Sequence, residues 1–372
     1  MHTHSQRLET WLGKDCVENM SRSMLNWYGP PIALQGVPGA VYACAGGDFI
    51  GRIEAGSDVS AIERAENLLR KSERARRVLR AMLRRQAGMA GFSSFSDLIA
   101  EATAGKRRDL AFQKTGVTGV LNVTSSLFGL GTMPAAGVAS AAAPGGTVLD
   151  STTLGGFPQI DDVSPDTRHF VFGAVTASVS SNNLLLYDRL FGVAKTMNSI
   201  ATEAVTGVPT RYQSTTVSDA DYIGGNFLFV EVGATQLAAT AHNWTVCTYT
   251  DQDGAGSTLP SLTGNSAAIV RRLDHPVGQW FAPLASGDVG IQTLTQMQCS
   301  ATVATGLIDF VIGHPIAFMP NQLANIVCFT DGINTAFNLV RVFDDACLAF
   351  LEVTKSASTL TTYSGTFTLA HG

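Results

Sequence analysis

Residues 286–320, SGDVGIQTLTQMQCSATVATGLIDFVIGHPIAFMP, carry the reading that decides the fold. After the Ser-Gly-Asp turn, Ile291, Thr293, Thr295, Met297 and Cys299 share one parity, and Gln292, Gln296 and Gln298 share the other, with Leu294 the exception. Period-two alternation of this kind predicts a strand with one drier face. Beyond SATVATG, residues Leu307 to Ile312 are apolar on both parities except at Asp309, which predicts a strand deeper in a sheet. The two runs read as an antiparallel pair.

Working outward, the same short-strand grammar fills most of the chain after Arg168. Candidate strands are HFVFGAVTASV, LLLYDRLFGVA from Leu184, AVTGVPTRYQ from Ala204, FLFVEV at 227–232 and NWTVCTYT at 243–250. NIVCFTDG, TAFNLVRVF, ACLAFLEV and TTYSGTFTLA follow. No βαβ alternation interrupts them, so a sandwich or jelly roll is expected and a doubly wound sheet is disfavoured.

The region before residue 110 has a different character. Ser60 and Glu63 form a capping box, Gly88 supplies a stop, and Ala65, Leu68, Ser72, Ala75, Leu79 and Met82 alternate spacings of three and four. A second capped helix is expected over Phe95 to Ala104, and short strands at VYACAG and DFIGRI. Residues 1–110 carry net charge +4 and residues 111–372 net −9. The expectation is therefore an α+β chain by segregation: a mainly helical, basic amino-terminal domain (1–110), a small-residue arm (111–165), and an antiparallel β-sandwich, jelly-roll-like, over 166–372. The arm has no charge from Val117 to Leu149. Its apolar residues should lie on a neighbouring subunit or on the rest of this chain.

Composition narrows the function classes. Hydrophobic residues make up 45% and charged residues only 15%, which describes a folded chain with a neutral surface that partners can cover. Six widely spaced cysteines without a CxxC pair suit reduced core thiols in a reducing compartment. The amino-terminal sequence lacks the pattern of a secretory signal, and no apolar run has membrane-spanning length, so no membrane partner is expected.

Candidate chemistry is sparse. Arg70, Lys71, Arg74, Arg77, Arg80, Arg84 and Arg85 line the Ser60 helix as an interaction surface. Closely spaced guanidinium groups could bind nucleic acid through counterion release. A solvated or intersubunit face is the simpler reading, since no aromatics interleave with the cations. The histidines lack zinc-site spacing, and Arg272-Leu273-Asp274-His275 is a run of neighbours rather than a triad assembled from distant segments. Asp251-Gln252-Asp253-Gly254 resembles a calcium loop but lacks the later ligands, and reads as a hairpin turn. Asp344-Asp345, near Arg341, reads as surface pairing. No catalytic residue, metal ligand or cofactor site emerges, so none is expected and the chain is read as a non-enzyme. A glycan binder would gather Trp244, Trp280 or Tyr249 in an exposed groove. A glycan-active enzyme would pair two of Asp288, Asp309, Asp331 and Asp344 in a cleft.

The runs LLLYDRLFGV (184–193), TGVPTRYQ (206–213), GNFLFVEVGATQLAATAHNWTVCTYTDQDG (225–254) and the quoted stretch resemble virion structural proteins of tailed bacteriophages, over roughly residues 166–353. The shared features are short strands, Tyr-Asp-Arg after an apolar run, and SGD before a Gln/Thr-rich strand. The resemblance implies a capsid-associated cement, decoration or minor capsid protein without catalytic residues. Its partners would be copies of itself, as a trimer or ring, and other virion proteins such as the major capsid protein. It would be assembled in the host cytoplasm and located in the virion.

Overall fold

The computed structural model describes residues 40–45, 48–54, 92, 94–157, 162–164, 166–213, 225–276, 279–332, 339–355 and 360–372. The chain divides into two units, Met1–Leu83 and Arg84–Gly372. In the first, Ala40–Ala45 pairs antiparallel with Asp48–Glu54, with a bulge at Ala43/Cys44. The expected Ser60 helix lies outside the described residues, as do its seven cationic candidates.

Among its described residues, the second unit shows three sheets and one helix. The helix, Phe95–Thr103, starts where the Ser94 hydroxyl accepts the Asp97 amide at 3.1 Å and ends before Gly105, whose φ of +91° suits a residue without Cβ.

The central sheet runs Phe227–Val232, Leu307–Asn321, Asn182–Thr196, Leu348–Val353, Thr124–Ser126, with Thr147–Val148 also beside Asn182–Thr196. A second sheet runs Gly256–Thr258, Asn243–Asp251, Ile291–Cys299, Glu203–Ala204, with Leu262–Thr263 also on Asn243–Asp251. The third runs Cys328–Asp331, Arg168–Ala177, Thr362–His371, Arg107–Thr115, Thr132–Met133, with Arg341–Val342 also on Arg168–Ala177. All strand pairs within these sheets are antiparallel.

The expected pairing of Ile291–Cys299 with the following strand is not formed. Leu307–Asn321 pairs instead with Asn182–Thr196 and Phe227–Val232, while Ile291–Cys299 joins the second sheet beside Asn243–Asp251. The apolar run on both parities calls for cover on both faces, which the central sheet supplies. The Gln/Thr strand keeps a half-exposed face where Thr248 and Thr295 hydroxyls meet at 2.8 Å. SATVATG is thus a crossing between layers, anchored by buried Val303, whose amide donates to the Met197 carbonyl. Two further expectations change. Leu307–Asn321 continues through Pro315 by means of an irregularity at Ile316, and the strand expected from Ala204 to Gln213 shrinks to Glu203–Ala204 before Pro209.

One bulge organises the core. Arg189 pairs with Gly313 and Phe191 with Ile312, so Leu190 is extra and the side-chain alternation shifts by one. Leu184, Leu186, Phe191 and Val193 thereby share one face of a single long strand. The first two pack with Phe170, Phe350 and Phe367 against the third sheet. The latter two pack with Trp244, Leu294 and Phe310 against the second. The opposite face carries Leu185, Tyr187, Phe229 and Val311, covered by Phe128, Leu149 and Leu273 from irregular segments. The described part of the segment expected as an arm therefore packs on its own chain, with Leu127 and Phe128 buried.

Candidate interaction surface and buried charge clusters

Among the described residues of this unit, two settings stand out, an apolar exposed rim and charge clusters buried in the core. The rim lies at the edge of the third sheet. There Cys328–Asp331 pairs only on its Arg168–Ala177 side among the described residues. Alternation turns Thr330 inward, its hydroxyl on the Phe318 carbonyl at 2.9 Å, and turns Phe329 out, 65% exposed. Phe329 stacks on the half-exposed Phe172 at 5.6 Å, and Leu323, Ile326 and Val327, in the segment leading into this strand, are exposed as well. Residues 322–330 carry no charge. An antiparallel edge with contiguous apolar side chains is a ready surface for another polypeptide.

Two charge clusters spring from neighbouring residues of Asn182–Thr196. Asp188 points toward the seam between the second and third sheets. Arg211 grips it with Nε at 2.7 Å and Nη2 at 2.8 Å, and the Cys347 amide adds a third bond at 2.9 Å. Arg211 reaches on to Asp345 and to the Leu149 carbonyl. Burial works against the guanidinium, but the Asp188 charge more than restores it and raises its pKa. Tyr212 stacks on His314 at 3.8 Å beside this pair, and burial pulls the His314 pKa down to about 3, so the ring is neutral.

Arg189 points the other way. Its Nη2 meets Glu231 Oε1 at 2.7 Å and its guanidinium lies 4.4 Å from the Phe128 ring centre. Asp309, cross-strand from Glu231, is completely buried. Neither Asp309 oxygen closes a hydrogen bond within the chain, and Glu231 Oε2 and Arg189 Nε also lack partners. Burial first, then the Glu231 charge, pushes the Asp309 carboxyl up to about 7 against the pull of Arg189, Arg271 and the Ser140 backbone amide.

A third constellation joins Asp274 to His242 Nε2 at 2.8 Å, to Trp244 Nε1 at 3.0 Å and to the Asn265 amide at 2.6 Å. Burial lowers the His242 pKa, but the Asp274 hydrogen bond and charge outweigh it and leave it raised. With both side chains wholly buried, the pair holds the second sheet to the 265–275 turn and presents nothing to a substrate. Burial holds His275 down at about 4.

The remaining candidates are dispersed. Asp288 accepts the Tyr249 hydroxyl, Asp344 pairs with Arg168, and Asp309 and Asp331 lie in different sheets. Asp345 takes Arg211, so each of the two carboxylates, Asp345 exposed and Asp344 partly so, pairs with a nearly buried arginine. Trp244 and Tyr249 are buried and Trp280 packs against the Phe318 ring, so the three do not form an exposed groove. Asp251 Oδ1 accepts the Asp253 and Ala255 amides, and Gly254 has φ +82°, which makes DQDG a hairpin turn. Among the described residues no His/Cys/Asp/Glu group could hold a metal ion, and no helix is long and apolar enough to cross a membrane.

The sequence did not bring Asp188 to Arg211, Arg189 to Glu231 or His242 to Asp274. Their signal was a charge inside an apolar run: Asp188-Arg189 after LLLY, and Asp309 within LIDFVI.

No protein-family model matches the chain, and no curated protein matches it. Among solved structures, the infectious bursal disease virus VP2 subviral particle aligns at 8% identity with a TM-score of 0.16, covering 71% of this chain and 80% of that one. The Gt strain of the same virus aligns at 7% and 0.15, covering 72% and 81%. At these scores the likeness carries no argument about fold or role.

Proposed function

We propose that this chain is a non-enzymatic virion structural protein, of the capsid-associated cement, decoration or minor capsid type of tailed bacteriophages. It acts by contact with copies of itself and with a major capsid protein. The observation that carries the reading is the uncharged apolar edge of Leu323, Ile326, Val327, Phe329 and Phe172 on a body whose Asp188, Arg189 and Asp274 clusters are buried. The likeness of residues 166–353 to phage virion proteins points the same way. Assembly in the host cytoplasm and a trimeric or ring-shaped homo-oligomer complete the proposal. The competing tail or glycan-binding reading is weakened by the burial of Trp244 and Tyr249.

The test is particle assembly. Phe329→Ser with Val327→Ser should leave the thermal unfolding of the isolated chain within about 0.5 kcal/mol, since both side chains are exposed, while reducing incorporation into particles at least tenfold. A chain that stays monomeric at high concentration and is absent from purified particles overturns the reading.

A further inference from the structure

Residues 138–148, VASAAAPGGTV, form a lap along the open edge of Asn182–Thr196, close to Asp309. Every one of their side chains is exposed or half-exposed, and most are Ala, Ser or Gly, so little apolar area ties the lap down. Backbone bonds do most of the holding. The Ala194 amide donates to the Ala141 carbonyl at 2.9 Å, the Ala143 amide to the Ala194 carbonyl at 3.2 Å, and the Thr206 amide to the Pro144 carbonyl at 2.8 Å. Segments held this way open at lower cost than the sheet beneath them.

Ser140 is the closing piece. A Cβ at Gly192 would come within 2.3 Å of its Oγ, so the lap can lie this close only over a glycine. Gly192 is the cross-strand partner of Val311, and the next pair on the same face, two residues on, is Ala194 with Asp309. The groups that bear on Asp309 are Glu231 from Phe227–Val232, Arg189 from Asn182–Thr196, Arg271 from the turn before Leu273, and the Ser140 backbone of the lap. The Arg189 guanidinium bonds Glu231 through Nη2 and leaves its Nε without a partner, and Asp309 is left with no nearer donor than the Ser140 backbone amide of the lap, whose pull toward the charged form burial outweighs. A buried carboxyl in that position is tolerated in its neutral form, and water admitted by lifting the lap would let it ionise.

The geometry points to a proton-latched strap: residues 138–148 stay seated while Asp309 is protonated and lift when it ionises. Closed, burial holds Asp309 up at about 7; opened to water, it returns to the ordinary carboxylate range of about 4. A raised closed-state value means that the seated form binds the proton more tightly. The opening constant should therefore rise roughly tenfold per pH unit between about 4 and 7 and level off above. The strap does not depend on the proposed particle role and can be tested on the isolated full chain.

The experiment is amide hydrogen exchange at pH 5 and pH 7, with pH 8 added for the plateau, corrected for intrinsic exchange. The opening constants of the Ala143 and Ala194 amides are expected to rise on the order of a hundredfold in the native chain, while those of Phe229 and Val311 do not follow. Asp309→Asn should flatten the rise to less than about threefold. A native rise below threefold overturns the strap, as does the same rise in the Asn variant or an equal rise at Phe229 and Val311, which would be general loosening. Should the Asn variant not fold, the native chain still decides, through the confinement of the rise to the lap and its plateau above pH 7.

Discussion

Asp188 and Arg189 are neighbours on one strand, yet the clusters they seed differ in how completely they are paired. On the seam side, Asp188 receives two guanidinium bonds and a backbone amide, and Arg211 finds further acceptors in Asp345 and the Leu149 carbonyl. On the other face, Arg189 answers Glu231, but neither Asp309 oxygen meets a side-chain donor and only the Ser140 backbone amide bears on it. The difference follows the cover. The seam lies where two regular sheets and the Pro209–Tyr212 segment converge, with many backbone and side-chain donors at hand. Asp309 lies beneath small residues that carry few donors. Low dielectric strengthens a complete network and penalises an incomplete one, so one cluster should cement the fold while the other makes it responsive to protons.

Removing a partner from the complete cluster is the most severe way to probe this contrast. Arg211→Leu strands Asp188 in the core and should cost about 3–5 kcal/mol of unfolding free energy in urea titration. A cost below about 1 kcal/mol would mean that the two clusters are energetically alike. Lys114 offers an intermediate case. Its ammonium donates to the Leu130 and Pro134 carbonyls, each at 2.6 Å, and burial pulls its pKa down to about 8. Lys114→Met should cost about 1–3 kcal/mol by leaving those carbonyls without a donor.

The smallest effect has the opposite sign. Asp309→Asn should stabilise the chain by about 1–2 kcal/mol at pH 8. Because the folded value lies near 7 and the unfolded value near 4, native stability from this group is present below about pH 4 and lost by about pH 7. The gain from asparagine should therefore vanish at pH 4. Comparing native and variant at each pH cancels the contributions of His275 and His314, which run the other way. Glu352 is a natural comparator. Burial likewise pushes its carboxyl up to about 7, but the Val117 amide donates to it at 3.1 Å. Glu352→Gln should bring a smaller gain at pH 8 than Asp309→Asn.

Alternation made the β character readable: strands at 168–177, 227–232, 243–251, 291–299 and 362–371 fall where apolar and β-branched residues recur. Partner choice was not readable. The Gln/Thr strand and the apolar strand after SATVATG are neighbours in sequence and look like a hairpin. Their unequal need for cover sends them to different sheets. The rim was hidden for a related reason, since Phe329 and Phe367 look alike as residues in short strands, and only edge position leaves the first exposed.

Local chemistry in the sequence alone determined the strand-rich body, the Ser94-capped helix, the DQDG turn and the low surface charge, because each depends on residues within a few positions of one another. The tertiary structure decided which strands pair, where the Leu190 bulge turns the faces, and which buried charges find partners. Those outcomes depend on side chains brought together from far apart in the chain, as with Asp188 and Arg211 or His242 and Asp274, and packing selects among alternatives that local preference leaves equal.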